Sequence, residues 1–462
     1  MHENRETQQT PNLGPRNLLI TNVRIAASEN QVDVECREGK VVNLWPASSQ
    51  STVPSQKNMD PTSTETLDGL GGMMIPSLCH SHIHLDKCFI LRRGGDIVRG
   101  DFLEAMAVTA NAKAEFSSDT EDLLQRGRKL IYDSVECGVT SIRAHVEVDT
   151  VMGLNGIDAA LKLKEEFKPV CDIQIAAFAQ ERLFDAVHDT EPGSNYRLLL
   201  EAIDREGVDV IGSAPYVEPS TEQAKKNIGL ILEAASTRAL HVDFHLDFSL
   251  DPAIEPLIYE VIAQVKKLGP HFKPRITIGH ATRLQLLTPE QWRDLIHEIG
   301  DLPLTFVALP NTDTYMQGRG AVDTPLGAPR STLRVPYLKK QHGLEVAMSV
   351  NNIENAFTPQ GPLDPLALCT FGVAIFQAAT TEDLENLLRS VTITSKLAIG
   401  QKDNHHDLAP NVGDPADFVI LHGTRTLAQA VLNPSYDRTT IKAGVVVARR
   451  QSKRSFFPFT EG

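Results

Sequence analysis

The sequence predicts an α/β chain, a (β/α)8 barrel of the TIM type with a small β-sandwich built from both chain ends. Three observations carry this expectation. About eight apolar, strand-like runs alternate with amphipathic stretches from Met74 onward. Short alternating strands flank that region on both sides, and His, Glu, Asp and Asn recur at the C-terminal ends of the central runs. Strand and helix in alternation build a closed parallel sheet, whose chemistry gathers at the C-terminal rim.

Taken in order, residues 1–16 form a polar leader without the apolar segment of a secretion signal. Asn17-Leu-Leu-Ile-Thr-Asn-Val-Arg-Ile25 and Val32-Asp-Val-Glu-Cys36 alternate like half-buried strands, and Gly39-Lys40 offers a turn before Val41-Val42, so residues 17–73 begin the β-sandwich. The stretch 47–66, rich in Ser, Thr and Pro, has no period and reads as a surface excursion. The barrel is expected over residues 74–405. Its strands are read at Met74 to His84, Val139 to Asp149, Asp172 to Gln180, Val208 to Glu218, Leu240 to Asp247, Arg275 to His280, Leu304 to Asn311 and Leu344 to Asn351. Amphipathic stretches such as Glu121 to Cys137 and Glu222 to Arg238 separate them, and one long helix is expected from Asp364 to Leu388. Residues 406–462 return to short strands, Ala416 to Leu421 and Thr440 to Ala448, which complete the sandwich and bring the chain ends together.

Composition narrows the function classes. With 45 basic against 59 acidic residues the formal charge is −14, which excludes the basic face that nucleic acid requires and favours a small neutral or cationic substrate. None of the six cysteines stands in a Cys-x-x-Cys pair, so neither a disulfide framework nor a thiolate metal site is indicated and a cytoplasmic location is expected. No segment approaches the roughly 18 apolar residues of a membrane span. Barrel enzymes of this size often self-associate, so a homo-oligomer stays open.

The strand ends carry the functional signal. His82 and His84 are two apart on one strand and therefore share a face. His245 and His280 end the fifth and sixth strands, so imidazoles from three strands meet at one rim, whereas His145 and His342 taken singly read as ordinary hydrogen-bonded residues. Three imidazoles with an open fourth position make a catalytic metal site, at which bound water ionises near neutral pH.

Several segments, in order and at their spacing, resemble the cytosine deaminase branch of the amidohydrolase superfamily: His82-Ile-His84-Leu-Asp86-Lys87, Arg143-Ala-His145-Val-Glu147-Val-Asp149, Ala177-Phe-Ala-Gln180-Glu181, Asp243-Phe-His245-Leu-Asp247, Gly279-His280-Ala281, Gln317-Gly318-Arg319 and the closing Gly413 to Leu421. The resemblance covers nearly the whole chain. It implies one divalent metal ion, zinc or iron, held by His82, His84 and His245. It also implies that His280 polarises the scissile centre or moves protons, and that Gln180 and Gln317 hydrogen-bond a planar heterocycle. No lysine ends the fourth strand, where binuclear members carry a carboxylated one, so a single ion is expected.

Two positions depart from that branch. Phe248 replaces a glutamate that ferries protons to the ring. Asn351 replaces the aspartate that binds the metal and accepts the proton of the attacking water. An amide oxygen can still approach a metal, but an amide is no general base. His280 and Asp247, the latter two residues beyond His245, are the candidate catalytic proton carriers, and His82, His84, His245 and Asn351 the candidate metal ligands. The function expected is hydrolysis of a non-peptide C–N bond in a small cyclic or amide-like compound, with deamination of an amino-heterocycle by hydroxide formed at the metal as the leading reaction. The alternative is a barrel that binds a small molecule without hydrolysing it, and Asn351 and Phe248 motivate it.

Overall fold

The computed structural model describes residues 17–26, 28–47, 64–318, 332–401, 403–455 and 457. The leader 1–16 and most of the excursion 47–66 lie outside the described residues. The chain begins with β1 (Asn17–Ile25), β2 (Ser28–Arg37), β3 (Lys40–Pro46), β4 (Thr64–Asp68) and β5 (Met73–Pro76). There follow β6 (Leu78–His84), β7 (Val139–Glu147), β8 (Asp172–Ala179), β9 (Val208–Ser213), β10 (His241–Leu246), β11 (Ile276–His280), β12 (Leu304–Ala308) and β13 (Val346–Met348). The C-terminal strands are β14 (Phe418–Leu421), β15 (Arg438–Lys442) and β16 (Val445–Arg450).

Strands β6 to β13 hydrogen-bond in sequence order, each parallel to the next. The seam between β13 and β6 is closed at Asn351, whose carbonyl accepts from the His84 amide at 2.8 Å while its own amide donates to the His82 carbonyl at 3.1 Å. Strands covered on both faces lose the polar alternation of a half-exposed sheet. β7, though buried along its whole length, keeps Arg143, His145 and Glu147 in alternation with Ala144 and Val146, the polar groups meeting Asp243 and Lys113 instead of water.

The other strands form one sheet in the order β16-β15-β14-β5-β1-β2-β3, with β4 paired to β1. Antiparallel pairing of β5 with β14, Met74 opposite Ile420, joins the two chain ends as the sequence leads one to expect. This sheet has its own apolar core, centred on Leu18, Ile20, Val34, Met74, Phe418 and Ile420. No helix among the described residues is long and apolar enough to cross a membrane.

The strand expected over Met74 to His84 is in fact two strands in two sheets. At Ser77 the chain changes sheets: its amide donates to Asp417 O at 3.0 Å, and the next amide, of Leu78, donates to Gly138 O at 2.8 Å. Both halves are buried, so hydrophobicity does not mark the break. The long helix expected from Asp364 to Leu388 is also two, Pro365–Ile375 and Thr381–Val391. Gln377 takes a left-handed φ of 51°, and Thr380 and Asp383 form a capping box that starts the second helix.

Arg438 on β15 ties the sheet to the barrel. Its guanidinium, 1% exposed, makes a two-pronged contact with Asp364 at 2.8 and 2.6 Å and also donates to Cys137 O at 2.7 Å. Removing one partner of such a pair leaves a buried charge uncompensated. Asp364→Ala is therefore expected to cost about 3–5 kcal/mol in urea unfolding; unchanged stability would contradict a junction held by this pair.

Candidate metal centre and active site

The period of two along β6 turns His82 and His84 to one side, and β10 delivers His245 opposite them. His245 Nε2 lies 2.6 Å from His82 Nε2 and 3.3 Å from His84 Nε2, and a ligand atom of each ring falls within 4.8 Å of the others. A tetrahedral ion with metal–nitrogen bonds near 2.0–2.1 Å holds its donors about 3.3 Å apart, so the triad is spaced for a shared cation. Burial drives all three ring pKa values well below the ordinary imidazole value; the neighbouring imidazoles push in the same direction, as does Lys87 at His82 and His84. The rings are thus neutral, the form that binds metal.

Asn351 stands beside the triad. It sits just past β13 at φ 67°, clamped by backbone hydrogen bonds to both His82 and His84. Its Nδ2 donates to Thr312 Oγ1 at 2.9 Å, whereas its Oδ1 is buried without any hydrogen-bond partner. A buried amide oxygen left unsatisfied is costly, and its place beside the imidazoles suits a cation ligand.

Behind the triad, Asp243 Oδ1 lies 3.6 Å from His82 Nδ1 and 3.2 Å from His145 Nε2. His82, His145 and Asp243 converge as a second donor group. The Arg143 guanidinium, 3.0 Å from Asp243 Oδ2, places a positive charge beside this group.

The imidazoles open into a cavity of about 320 Å³, counted out to its mouth. One wall is polar, with His84, His245, His280 and Asn351 beside Lys87, Gln180, Thr312 and Asn352; the other is aromatic, made of Phe102, Tyr216, Phe248 and Phe357. Phe248 lies against His280 with ring centroids 4.3 Å apart, and Phe102 contacts both Phe248 and Phe357.

His280 ends β11 in a left-handed conformation, φ 68°. Its Nδ1 stands 2.7 Å from Asp313 Oδ1. Asp313 is fully buried and its other oxygen accepts from the Leu309 amide at 3.2 Å and from Thr332 Oγ1 at 2.6 Å. A carboxylate so held fixes the proton on Nδ1 and leaves Nε2 with a lone pair.

Asp247, expected as an alternative proton carrier, is placed otherwise. β10 stops at Leu246, and Asp247 turns left-handed at φ 53°, which breaks the period that would have set it beside His245. Its carboxylate accepts from the amides of Leu257 at 2.6 Å and Ile258 at 3.2 Å, at the start of helix Ile258–Leu268, and burial pushes its pKa up to about 7. It is not among the residues that line the cavity. Gln180 does line it; Gln317 does not, and instead ends the short helix Pro310–Met316.

Lys87 follows β6, three residues after His84. It is 2% exposed and lines the cavity. Its ammonium lies 2.5 Å from Glu147 Oε1 and 3.3 Å from Gln180 Oε1, while Lys113 bridges Glu147 at 2.7 Å and Asp149 at 2.5 Å. Burial alone would raise the Glu147 pKa; Lys113 and Lys87 override it and hold the carboxyl at about 2. Asp313 and Asn352, polar residues read from sequence at the ends of the seventh and eighth strands but given no role there, also stand at the site. Adjacency to the His-x-His pair and to Asn351 was the available signal for Lys87 and Asn352.

The fold and this site define the class, a (β/α)8 barrel with a histidine metal centre under a planar slot. No protein-family model matches the chain. It is 22% identical over 434 residues to the N-isopropylammelide isopropyl amidohydrolase of Pseudomonas sp. strain ADP, covering 94% of this chain and 97% of the relative. It is 23% identical over 421 residues to a pterin deaminase of Rhizobium rhizogenes, 91% of this chain and 88% of that one. The crystal structure of 5-methylcytosine deaminase from Klebsiella pneumoniae superposes with a TM-score of 0.79 at 24% identity, covering 95% of this chain and 99% of that chain. The chain is thus similar along nearly its whole length to an amidohydrolase and a deaminase of small heterocycles, and it shares the fold of 5-methylcytosine deaminase.

Proposed function

We propose that the protein is a metal-dependent hydrolase of non-peptide C–N bonds that deaminates a small planar heterocycle. The observation that carries this reading is the convergence of the His82, His84 and His245 nitrogens, with His84 and His245 opening onto a cavity lined by Phe102, Tyr216, Phe248 and Phe357 and the His280–Asp313 pair beside it. Similarity to two deaminases and an amidohydrolase over nearly the whole chain supports the same reaction class. One divalent ion, zinc or iron, would be held by the three imidazoles and Asn351 Oδ1; when bound, such an ion acidifies water and polarises the carbon under attack.

The chain's own residues do the rest. His280 Nε2 receives the proton of the attacking water and returns it to the departing amine, while Asp313 keeps the ring in the competent tautomer and stabilises its protonated form. This arrangement takes over the duty that Asn351 is unable to perform. Gln180, held by Lys87, hydrogen-bonds an edge of the ring, and the four aromatics fix its plane and keep bulk water away. Asp247 shapes the loop after β10 by capping the helix that follows. A cytosolic location fits the six free, buried cysteines.

Asn351 also favours a second reading, a protein that binds its ligand without turning it over. Ammonia release from a panel of aminopyrimidines, aminotriazines and pterins separates the two. The hydrolase reading expects turnover by the unmodified protein, with Asn351→Asp changing the rate by about tenfold or less, because His280 already carries the proton transfer. Unmodified protein that is inert with metal bound, together with an Asn351→Asp variant that gains turnover, would establish the binding reading instead.

A further inference from the structure

We propose that Tyr216 determines specificity in this cavity: its phenol O–H donates to an acceptor atom of the bound ring, and Lys87 fixes that direction from behind through Gln180. The role rests on the reading of the cavity as the reaction site, and it makes Tyr216 more than a flat piece of the wall. Tyr216 belongs to the short 3-10 turn Pro215–Val217 that follows β9, and its ring tilts against Phe248 with centroids 5.9 Å apart. It lines the cavity together with Gln180 and Lys87.

The direction of donation is set at the far end of a row of hydrogen bonds. Lys87 and Lys113 hold the two oxygens of Glu147 at 2.5 and 2.7 Å. An ammonium offers donors and no acceptor, so Gln180 Oε1, 3.3 Å from Lys87 Nζ, accepts from it. That engages the oxygen end of the amide and leaves its NH2 end to face elsewhere. Gln180 is also hydrogen-bonded to Tyr216, and with its oxygen engaged the amide is the donor of that bond and the phenol oxygen the acceptor. A phenol has one proton to give. No hydrogen bond from the Tyr216 hydroxyl to a protein acceptor is formed among the described residues, so that proton is left for whatever fills the cavity. Burial, reinforced by Asp313 and Glu147, pushes the Tyr216 pKa above the ordinary phenol value although the Gln180 bond pulls the other way, and the proton stays on the oxygen at neutral pH. A ring with a carbonyl oxygen or a bare nitrogen facing Tyr216 matches this donor. A ring with an N–H or amino group there leaves the phenol proton unmatched between aromatic walls, where an unpaired polar group is costly. Without Lys87 the amide is free to turn end for end, and its oxygen would take the phenol proton away from the cavity.

Tyr216→Phe tests the donor, because it keeps the ring in the wall and removes one O–H. The probe is the ring of highest kcat/KM among the aminopyrimidines, aminotriazines and pterins of the ammonia-release panel. If none releases ammonia, the probe is the ring of that panel bound most tightly by the metal-loaded protein in calorimetry. In the wild-type background Tyr216→Phe is expected to raise KM, or Kd, about 10-fold, with kcat moving less. In a Lys87→Met background, where the Gln180 amide is free to turn, the same change should matter by less than about twofold, a non-additivity that a merely structural role would not produce. An effect below about twofold in wild type, an effect of equal size in the two backgrounds, or no binding of any ring of the panel would overturn the proposal. If circular dichroism shows that Lys87→Met does not fold, Gln180→Glu takes its place: a carboxylate there accepts the phenol proton, and the Tyr216→Phe effect should vanish in that background too. If neither background folds, the wild-type effect decides. Ammonia release without the Tyr216 effect would remove this role and leave the deaminase reading, whereas the effect in a protein that binds the ring and releases no ammonia would do the reverse.

Discussion

Replacing His82 and His84 together by alanine is expected to remove both the metal and the turnover. The two rings supply two of three imidazole nitrogens, and what remains, His245 and Asn351 Oδ1, is a weak pair of donors with no chelating neighbour on β6. Metal analysis of the purified protein should fall from about one ion per chain, as a mononuclear site requires, to background. Ammonia release should fall with it. Both rings are buried in the barrel, so the double change also leaves a cavity, worth about 2–5 kcal/mol per large-to-small substitution. A His82→Asn, His84→Asn pair preserves more volume and separates loss of metal from loss of fold, with circular dichroism as the check. A folded double variant that keeps its metal and its full rate would refute the assignment of these ligands.

The second large effect is expected at His280. If its Nε2 is the base that Asn351 is unable to be, His280→Asn should lower kcat by about 10²–10⁴ while metal content stays at the wild-type level. Asp313→Asn should act in the same direction, because an amide facing Nδ1 no longer dictates which nitrogen carries the proton, and the imidazolium formed during the reaction loses its counter-charge. The signature is a fall in kcat with metal retained, the opposite of the double-histidine result. Turnover within twofold of wild type in His280→Asn would place the proton transfer elsewhere.

The parts of this site that were legible from sequence are those fixed by backbone periodicity. Strand spacing puts His82 and His84 on one face, and parallel strands closing in order bring His245 and His280 to the same rim. The register at Asn351 was legible for the same reason, since it follows directly on the eighth strand. Periodicity fails where the backbone turns left-handed. Asp247 is two residues from His245, yet a φ of 53° aims its carboxylate at the Leu257 and Ile258 amides. Lys87 lies beyond the end of β6, where strand geometry no longer predicts direction. Asp313 belongs to a helix that begins at Pro310, not to the seventh strand, so its contact with His280 depends on tertiary placement alone. The division at Ser77 was hidden because both sheets bury their share of Met73–His84, and an apolar run looks the same whether one sheet or two cover it.

The reach of the charge pattern was limited in a similar way. A net charge of −14 describes the field around the whole chain, whereas selection of a ligand depends on the few groups at the wall of the slot. There Lys87 is paired with Glu147 at 2.5 Å, and Lys113 is shared between Glu147 and Asp149.

X-ray absorption at the metal edge of the purified, unmodified protein addresses the histidine centre most directly. Three imidazole shells at about 2.0–2.1 Å with oxygen completing the coordination, and no sulfur, are the predicted spectrum. A sulfur shell, or a protein that binds neither zinc nor iron when both are supplied, would contradict it.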